Sequence, residues 1–227
     1  MKLSHALPLL CSLLLAQTAF SADLNKHAFT LEVKQGATTS YYGTGTLVRV
    51  GNDTYYVSAH HIFGKVPDTQ IQNITKSATI VNEIDKNLHF KPEAFIAVPN
   101  VQDLTKTDFL ILKLRSNLTL AKYALPLASV PPQKDEVVYL AARLPNKPLA
   151  TYPLKVQETS DDQTVYEKIP NVDKYTGASG GPIINSKNEI VGTYLGRQLA
   201  EDNSIRSLIG TPHSSLKTIL ESVSKAH

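Results

Sequence analysis

The stretch Thr176-Gly177-Ala178-Ser179-Gly180-Gly181-Pro182, running on into Ile183-Ile184-Asn185-Ser186-Lys187-Asn188-Glu189-Ile190-Val191, decides how this chain is read. Glycines on both sides of one serine let the backbone turn tightly and aim the N–H groups of Gly177 and Ser179 at one spot. A proline follows, then two short β-branched runs around Asn185-Ser186-Lys187-Asn188. That is a hairpin pattern. By itself such a serine is more often part of a plain turn. Its meaning depends on the rest of the chain.

Outward from that hairpin the sequence is a series of short β-type runs separated by turn residues. Runs rich in Val, Ile, Tyr and Thr fall at 29–33, 41–50, 54–58, 89–98, 108–114, 137–142, 182–185 and 190–195. Gly51-Asn52-Asp53 is a second hairpin signal. Regularly spaced short strands predict an all-β barrel or sandwich. One helix is predicted, at the end, where Leu216, Ile219, Leu220 and Val223 recur at helical spacing behind Ser214 or Ser215 as cap. Pro126, Pro131 and Pro132 mark the best candidate connection between two halves.

A serine hydroxyl is a poor nucleophile at neutral pH and needs a base within hydrogen-bond reach. An imidazole suits that task, and a carboxylate fixes its tautomer. Two segments offer these groups: Tyr56-Val57-Ser58-Ala59-His60-His61-Ile62 and Thr107-Asp108-Phe109-Leu110-Ile111-Leu112-Lys113-Leu114. Each piece alone is weak, since an Asp before an apolar run is usually a turn residue and a His after a strand is usually structural. The order His, Asp, Ser, each in a strand context, gives them force together.

In that combination the chain resembles the chymotrypsin-like serine proteases, from about Tyr41 to about Pro212. The resemblance implies an all-β fold of two packed six-stranded antiparallel β-barrels with a C-terminal helix. The N-terminal barrel would cover about 22–125, the C-terminal barrel about 133–211 and the helix about 213–225. It implies catalysis by His61, Asp108 and Ser179, with Gly177 and Ser179 as oxyanion donors, through an acyl-enzyme. His60 stands where the family has a small residue, so a register with His60 as base stays open. Ala178 replaces the aspartate by which animal digestive and clotting enzymes answer zymogen cleavage, so no such switch is expected. Gly43-Thr44-Gly45-Thr46-Leu47-Val48 and Thr211-Pro212 are more similar to the bacterial branch, including the high-temperature-requirement proteases, with no PDZ domain expected. The residue six before the nucleophile, Asp173, falls at the base of the family's S1 pocket and would favour Arg or Lys at P1. Tyr194 and Gly196 would line the wall. Arg197 and Arg206 lie near enough in sequence to neutralise Asp173, and Asp173 has a plain surface-loop reading as well.

Residues 1–21 read as a secretory signal peptide: Lys2, an apolar core from Ala6 to Ala16, then Ala19-Phe20-Ser21 before a cleavage point. That core is too short to span a bilayer. The single cysteine, Cys11, lies inside it, so residues 22–227 must hold together without a disulfide. An exported protein of a bacterial envelope, periplasmic or secreted, is expected. The formal net charge of +3 is spread along the chain and makes no case for nucleic acid or a membrane. The expected partner is a protein or peptide substrate, with no cofactor, no metal and a monomeric state. Adjacent histidines on a strand point to opposite faces, which disfavours a shared metal.

Two rival readings remain. Gly177-Ala178-Ser179-Gly180-Gly181 also satisfies the Gly-x-Ser-x-Gly of α/β-hydrolase esterases, but those need a helix directly after the serine and an acid and His later in the chain. A protease-like fold that no longer cleaves and serves as a binding module is the other, because fold does not fix function.

Overall fold

The computed structural model describes residues 24–35, 37–64, 66–96, 108–115 and 118–225. The expected signal peptide, Thr107 and His227 lie outside the described residues.

Two β units pack side by side. The first holds β1 (Phe29–Gln35), β2 (Thr38–Val50), β3 (Asp53–Ser58), helix α1 (Asp68–Lys76), β4 (Ala78–Asn82), β5 (His89–Phe90), β6 (Pro92–Ile96), β7 (Leu110–Leu114), the short helix α2 (Leu118–Ala121) and β8 (Leu125–Pro126). Its strands run in the order β5-β4-β1-β2-β3-β7-β6, with β8 parallel to β2. Where a closed barrel is expected, the described residues form a half-barrel sheet with no ladder between its ends. Its two ends, β5 and β6, are joined through the single residue Lys91, so the chain passes directly from one edge of the sheet to the other.

The second unit holds β9 (Val137–Arg143), β10 (Leu149–Thr159), β11 (Thr164–Glu167), β12 (Pro182–Ile184), β13 (Ile190–Leu199) and β14 (Ile205–Gly210). It closes as a six-stranded barrel, β10-β11-β14-β13-β12-β9, as expected. Two long strands turn its corners. The first half of β10 pairs with β9 and its end with β11. Pro153 sits in that first half, opposite Tyr139 of β9, on a stretch with no second neighbouring strand among the described residues. Likewise β13 starts against β12 and ends against β14.

Helix α3 (His213–Lys225) follows. Its first turn already bonds Leu216 N–H to Pro212 O, so Ser214 and Ser215 lie inside the helix and do not cap it. Leu216 and Leu220 are buried with Val48, Tyr55 and Val57 of the first unit and Ile184 and Ile190 of the second. Burying each leucine contributes roughly 1.5–3 kcal/mol, so this helix staples the seam between the units. Helix α1 was not legible as a helix: its only apolar members are Ile71 and Ile74, one turn apart.

His213 at the start of α3 is buried, and its Nε2–H donates to Ala128 O at 2.8 Å. Burial above all, with help from Lys217 one turn on, holds its pKa below the ordinary 6.5, against the pull of the carbonyl. The unfolded chain then binds that proton more readily than the folded one. The stabilising contribution is complete above about pH 6.5 and is lost as pH falls toward the lower folded value. Thermal melts should show a drop in Tm between neutral and mildly acid pH that His213→Gln reduces. An equal drop in the variant would remove His213 from the account.

Candidate active site

Strand register alone brings two of the three groups together. Ser58 at the end of β3 pairs with Leu110 at the start of β7. In an antiparallel pair, three residues onward from Ser58 and two residues back from Leu110 meet at the same end of the sheet. Those residues are His61 and Asp108. The chain leaves β3 through extended Ala59 and enters a single 3₁₀ turn, His60–Phe63. At three residues per turn, successive side chains there diverge widely. His61 faces Asp108, while His60 is buried and its Nε2 bonds Asp68 Oδ1 at 3.0 Å, tying the turn to the start of α1. The two histidines thus lie on a turn and not on a strand, and they serve different carboxylates.

Asp108 is buried and both its oxygens are spent on His61. Oδ2 lies 2.6 Å from His61 Nδ1, and Oδ1 accepts the His61 backbone N–H at 2.8 Å. On the other side of the ring, Nε2 lies 2.9 Å from Ser179 Oγ. With the carboxylate at Nδ1, the neutral ring carries its proton there and leaves Nε2 as acceptor for the serine hydroxyl.

Ser179 reaches this point because its loop is held from both units. Tyr194 N–H donates to Gly181 O, and Tyr194 O accepts Gly180 N–H, extending the β12–β13 ladder into the loop. From the first unit, buried Thr44 on β2 grips the loop twice. Its N–H donates to Ser179 O at 2.9 Å and its hydroxyl donates to Gly177 O at 3.0 Å. Within the loop, Ala178 N–H donates to Tyr175 O and Gly181 N–H donates to Ala178 O. The N–H groups of Gly177 and Ser179 take no partner among the described residues. Gly177 is exposed and Ser179 half-buried, so these donors are uncommitted, as an oxyanion site requires.

The proposed substrate-contact residues are not all gathered. Tyr194 and Gly196 lie on β13 next to the nucleophile loop. Tyr194 is buried, its ring 6.0 Å from that of Tyr175, and burial pushes its phenol far above the ordinary range. From Gly196 onward β13 pairs with β14 on one edge, and its other edge carries no strand among the described residues. Asp173 is exposed. The shallow cleft it lines, with residues 144–147 and 171–174, includes neither Ser179 nor any residue of β13. Among the described residues neither Arg197 nor Arg206 pairs with it. No cluster of metal-ligating side chains occurs among the described residues.

The family model of the trypsin-like peptidase domain matches residues 43–192, from the Thr44 clamp through His61, Asp108 and Ser179 to the hairpin beyond it. The chain belongs to the trypsin-like peptidase family. Solved structures agree on the fold of this trypsin-like chain. It is similar to the Rv3671c protease from M. tuberculosis in its active form, at a TM-score of 0.60 and 15% identity over 91% of this chain and 85% of that one. Kallikrein-related peptidase 10 in complex with Zn2+ gives 0.65 and 14%, over 89% and 96%. The serine endoprotease from Yersinia pestis gives 0.60 and 14%, over 89% of this chain and 66% of that one. No curated protein sequence matches the chain. The trypsin-like fold excludes the α/β-hydrolase reading, since strand β12 and not a helix follows the serine.

Sequence reasoning overlooked Thr44 and Asp68. Thr44 lay inside a quoted motif, but nothing local marks a threonine that bonds a loop 133 residues away. The partner of His60 is set by the geometry of a turn.

Proposed function

We propose that the chain is an exported serine endopeptidase. The observation that carries this reading is the unbroken line Asp108 Oδ2, His61 Nδ1, His61 Nε2, Ser179 Oγ, with contacts of 2.6 and 2.9 Å. Ser179 Oγ attacks the carbonyl carbon of the scissile bond while its proton passes to His61 Nε2. Asp108 stabilises the imidazolium. The oxygen that becomes negative is received by the N–H groups of Gly177 and Ser179. His61 returns its proton to the leaving amine as the C–N bond breaks, and water releases the acyl group by the same steps in reverse. The acyl side of the substrate runs as an added strand along the open edge of β13 at Gly196. Export is supported by the signal-peptide pattern of residues 1–21, and no cofactor enters the chemistry.

The test is labelling by a fluorophosphonate probe of the folded protein, absent in Ser179→Ala. Labelling of the wild type supports the reading. A folded wild type that stays unlabelled sinks it and favours the binding module.

A basic P1 preference would rest on Asp173. An exposed carboxylate discriminates weakly, because exposed ion pairs contribute only about 0–1 kcal/mol. Asp173→Ser should therefore change the ratio of kcat/KM for Arg over a neutral residue at P1 by no more than about fivefold. A larger change, read on peptides varying only at P1, would restore Asp173 to a closed pocket.

A further inference from the structure

A cleft of about 660 Å³ opens between the two units on the side of the nucleophile loop away from β13. It is lined by Thr176 and Gly177 of that loop, by Tyr41 and Gly43 of β2, and by no residue of β13. If the acyl half of a substrate follows β13, the leaving-group half runs into this cleft; the inference therefore rests on the peptidase reading above.

Its charge is one-sided. Lys86, Arg143 and Lys147 line it, against the single carboxylate of Glu83. Glu83 is deeply placed, its side chain only 8% exposed, and it is shared: Arg143 Nη2 lies 3.0 Å and Lys86 Nζ 3.6 Å away. The two cations are about half exposed, at 50% and 57%. One buried anion thus orients two cations whose remaining donors face the cleft. A guanidinium has five N–H donors, and the Glu83 contact occupies one of them. Lys147, in the turn closed by its own N–H to Leu144 O, has no carboxylate partner among the described residues. Arg143 is also next to the chemistry: its carbonyl lies 3.2 Å from where a Cβ on Gly177 would be.

We propose that this cleft is a specificity site for an acidic side chain within the first two or three residues after the scissile bond, with Arg143 as its principal contact and Lys147 as its second. The carboxylate meets a preoriented fork beside the oxyanion loop, and exposed Tyr41 forms the opposite wall. A basic residue at the same position meets uncompensated like charge.

The test uses matched fluorogenic peptides identical except for Asp, Gln or Lys after the scissile bond, with Ser179→Ala as blank. In the wild type kcat/KM for the Asp peptide should exceed that for Gln by about tenfold, since charge-assisted hydrogen bonds are the stronger class and partial exposure discounts them. That ratio should shrink severalfold in Arg143→Gln, less in Lys147→Gln, and also as ionic strength is raised. Binding of labelled uncleaved peptides to Ser179→Ala, read by fluorescence anisotropy, should follow the same order. Turnover without an Asp preference, or a preference that survives both substitutions, overturns the proposal and leaves the peptidase reading standing. Absence of Ser179-dependent turnover sinks that reading, and anisotropy that does not distinguish Asp from Gln then sinks the cleft as well.

Discussion

Replacing Ser179 by alanine should lower kcat by about 10⁵–10⁶-fold, and adding His61→Ala to that variant should cost almost nothing more. The reason is that the two side chains act as one device. His61 Nε2 lies 2.9 Å from Ser179 Oγ and makes no other hydrogen bond among the described residues. In the proposed mechanism its work is to take that proton. Without the hydroxyl the imidazole has nothing to activate, and without the imidazole the hydroxyl stays a weak nucleophile. Two independent contributions would multiply; contributions made through one proton transfer do not. What survives in both variants is the residual help of the Gly177 and Ser179 N–H groups and of substrate binding, about 10³–10⁴ over water. The substitution removes one oxygen from a half-buried position, so the thermal melt should hardly move. Turnover of a peptide by the single and double variants is the measurement. A further loss beyond about tenfold on adding His61→Ala would mean that His61 does something apart from Ser179.

The three groups of this device were legible because each is announced locally. A histidine follows a β-type run, an aspartate opens an apolar one, and a serine sits among glycines before a hairpin. The sequence alone could not choose between His60 and His61. That choice is made by extended Ala59 and by where a 3₁₀ turn begins, which sends His61 toward Asp108 and His60 toward Asp68. The barrel of the second unit was legible as a class but not strand by strand. β10 carries Pro153 in mid-run and bends from one partner to another, so no single alternation spans it. The first unit is a half-barrel sheet whose end strands β5 and β6 share no ladder among the described residues, which alternation along single strands does not reveal. Asp173 shows the limit of counting back from a nucleophile. Six residues fix a position in sequence, but the fold of the intervening loop decides whether the carboxylate enters a slot or faces water, and here it is exposed. The charge of the cleft beside Gly177 was equally hidden, since Glu83 and Arg143 stand 60 residues apart.

The largest structural effect should come from Gly180→Ala, and Gly64→Ala shows why. Both glycines have left-handed backbones, at φ +80° and +67°. An L-residue at such a φ costs about 1–3 kcal/mol whatever surrounds it, and Gly64, at ψ −136°, lies outside even the left-handed helical well. At Gly64 that is the whole cost, because an added Cβ meets nothing within 4 Å. At Gly180 the same carbon would lie 2.0 Å from Ser58 Oγ and 2.1 Å from Thr44 O, two atoms already joined by a 2.6 Å hydrogen bond. Thr44 O cannot retreat, and Ser58 Oγ can turn away only by giving up that bond. Thr44 O belongs to β2, and Ser58 is the last residue of β3, paired with Gly45 on one side and Leu110 on the other. The loop must therefore lift off the first unit. Lifting it breaks the Thr44 bonds to Ser179 O and Gly177 O and draws Ser179 away from His61. Gly180→Ala should lose about 4 kcal/mol or more, or roughly 8–16 °C in Tm for a chain of this size. Gly64→Ala should lose about 1–3 kcal/mol. Any folded Gly180→Ala protein should also lose most of its turnover, because its nucleophile no longer meets its base. Denaturation of the two variants side by side decides the point: equal losses would mean that the seam yields, and that Thr44 does not hold the nucleophile in place.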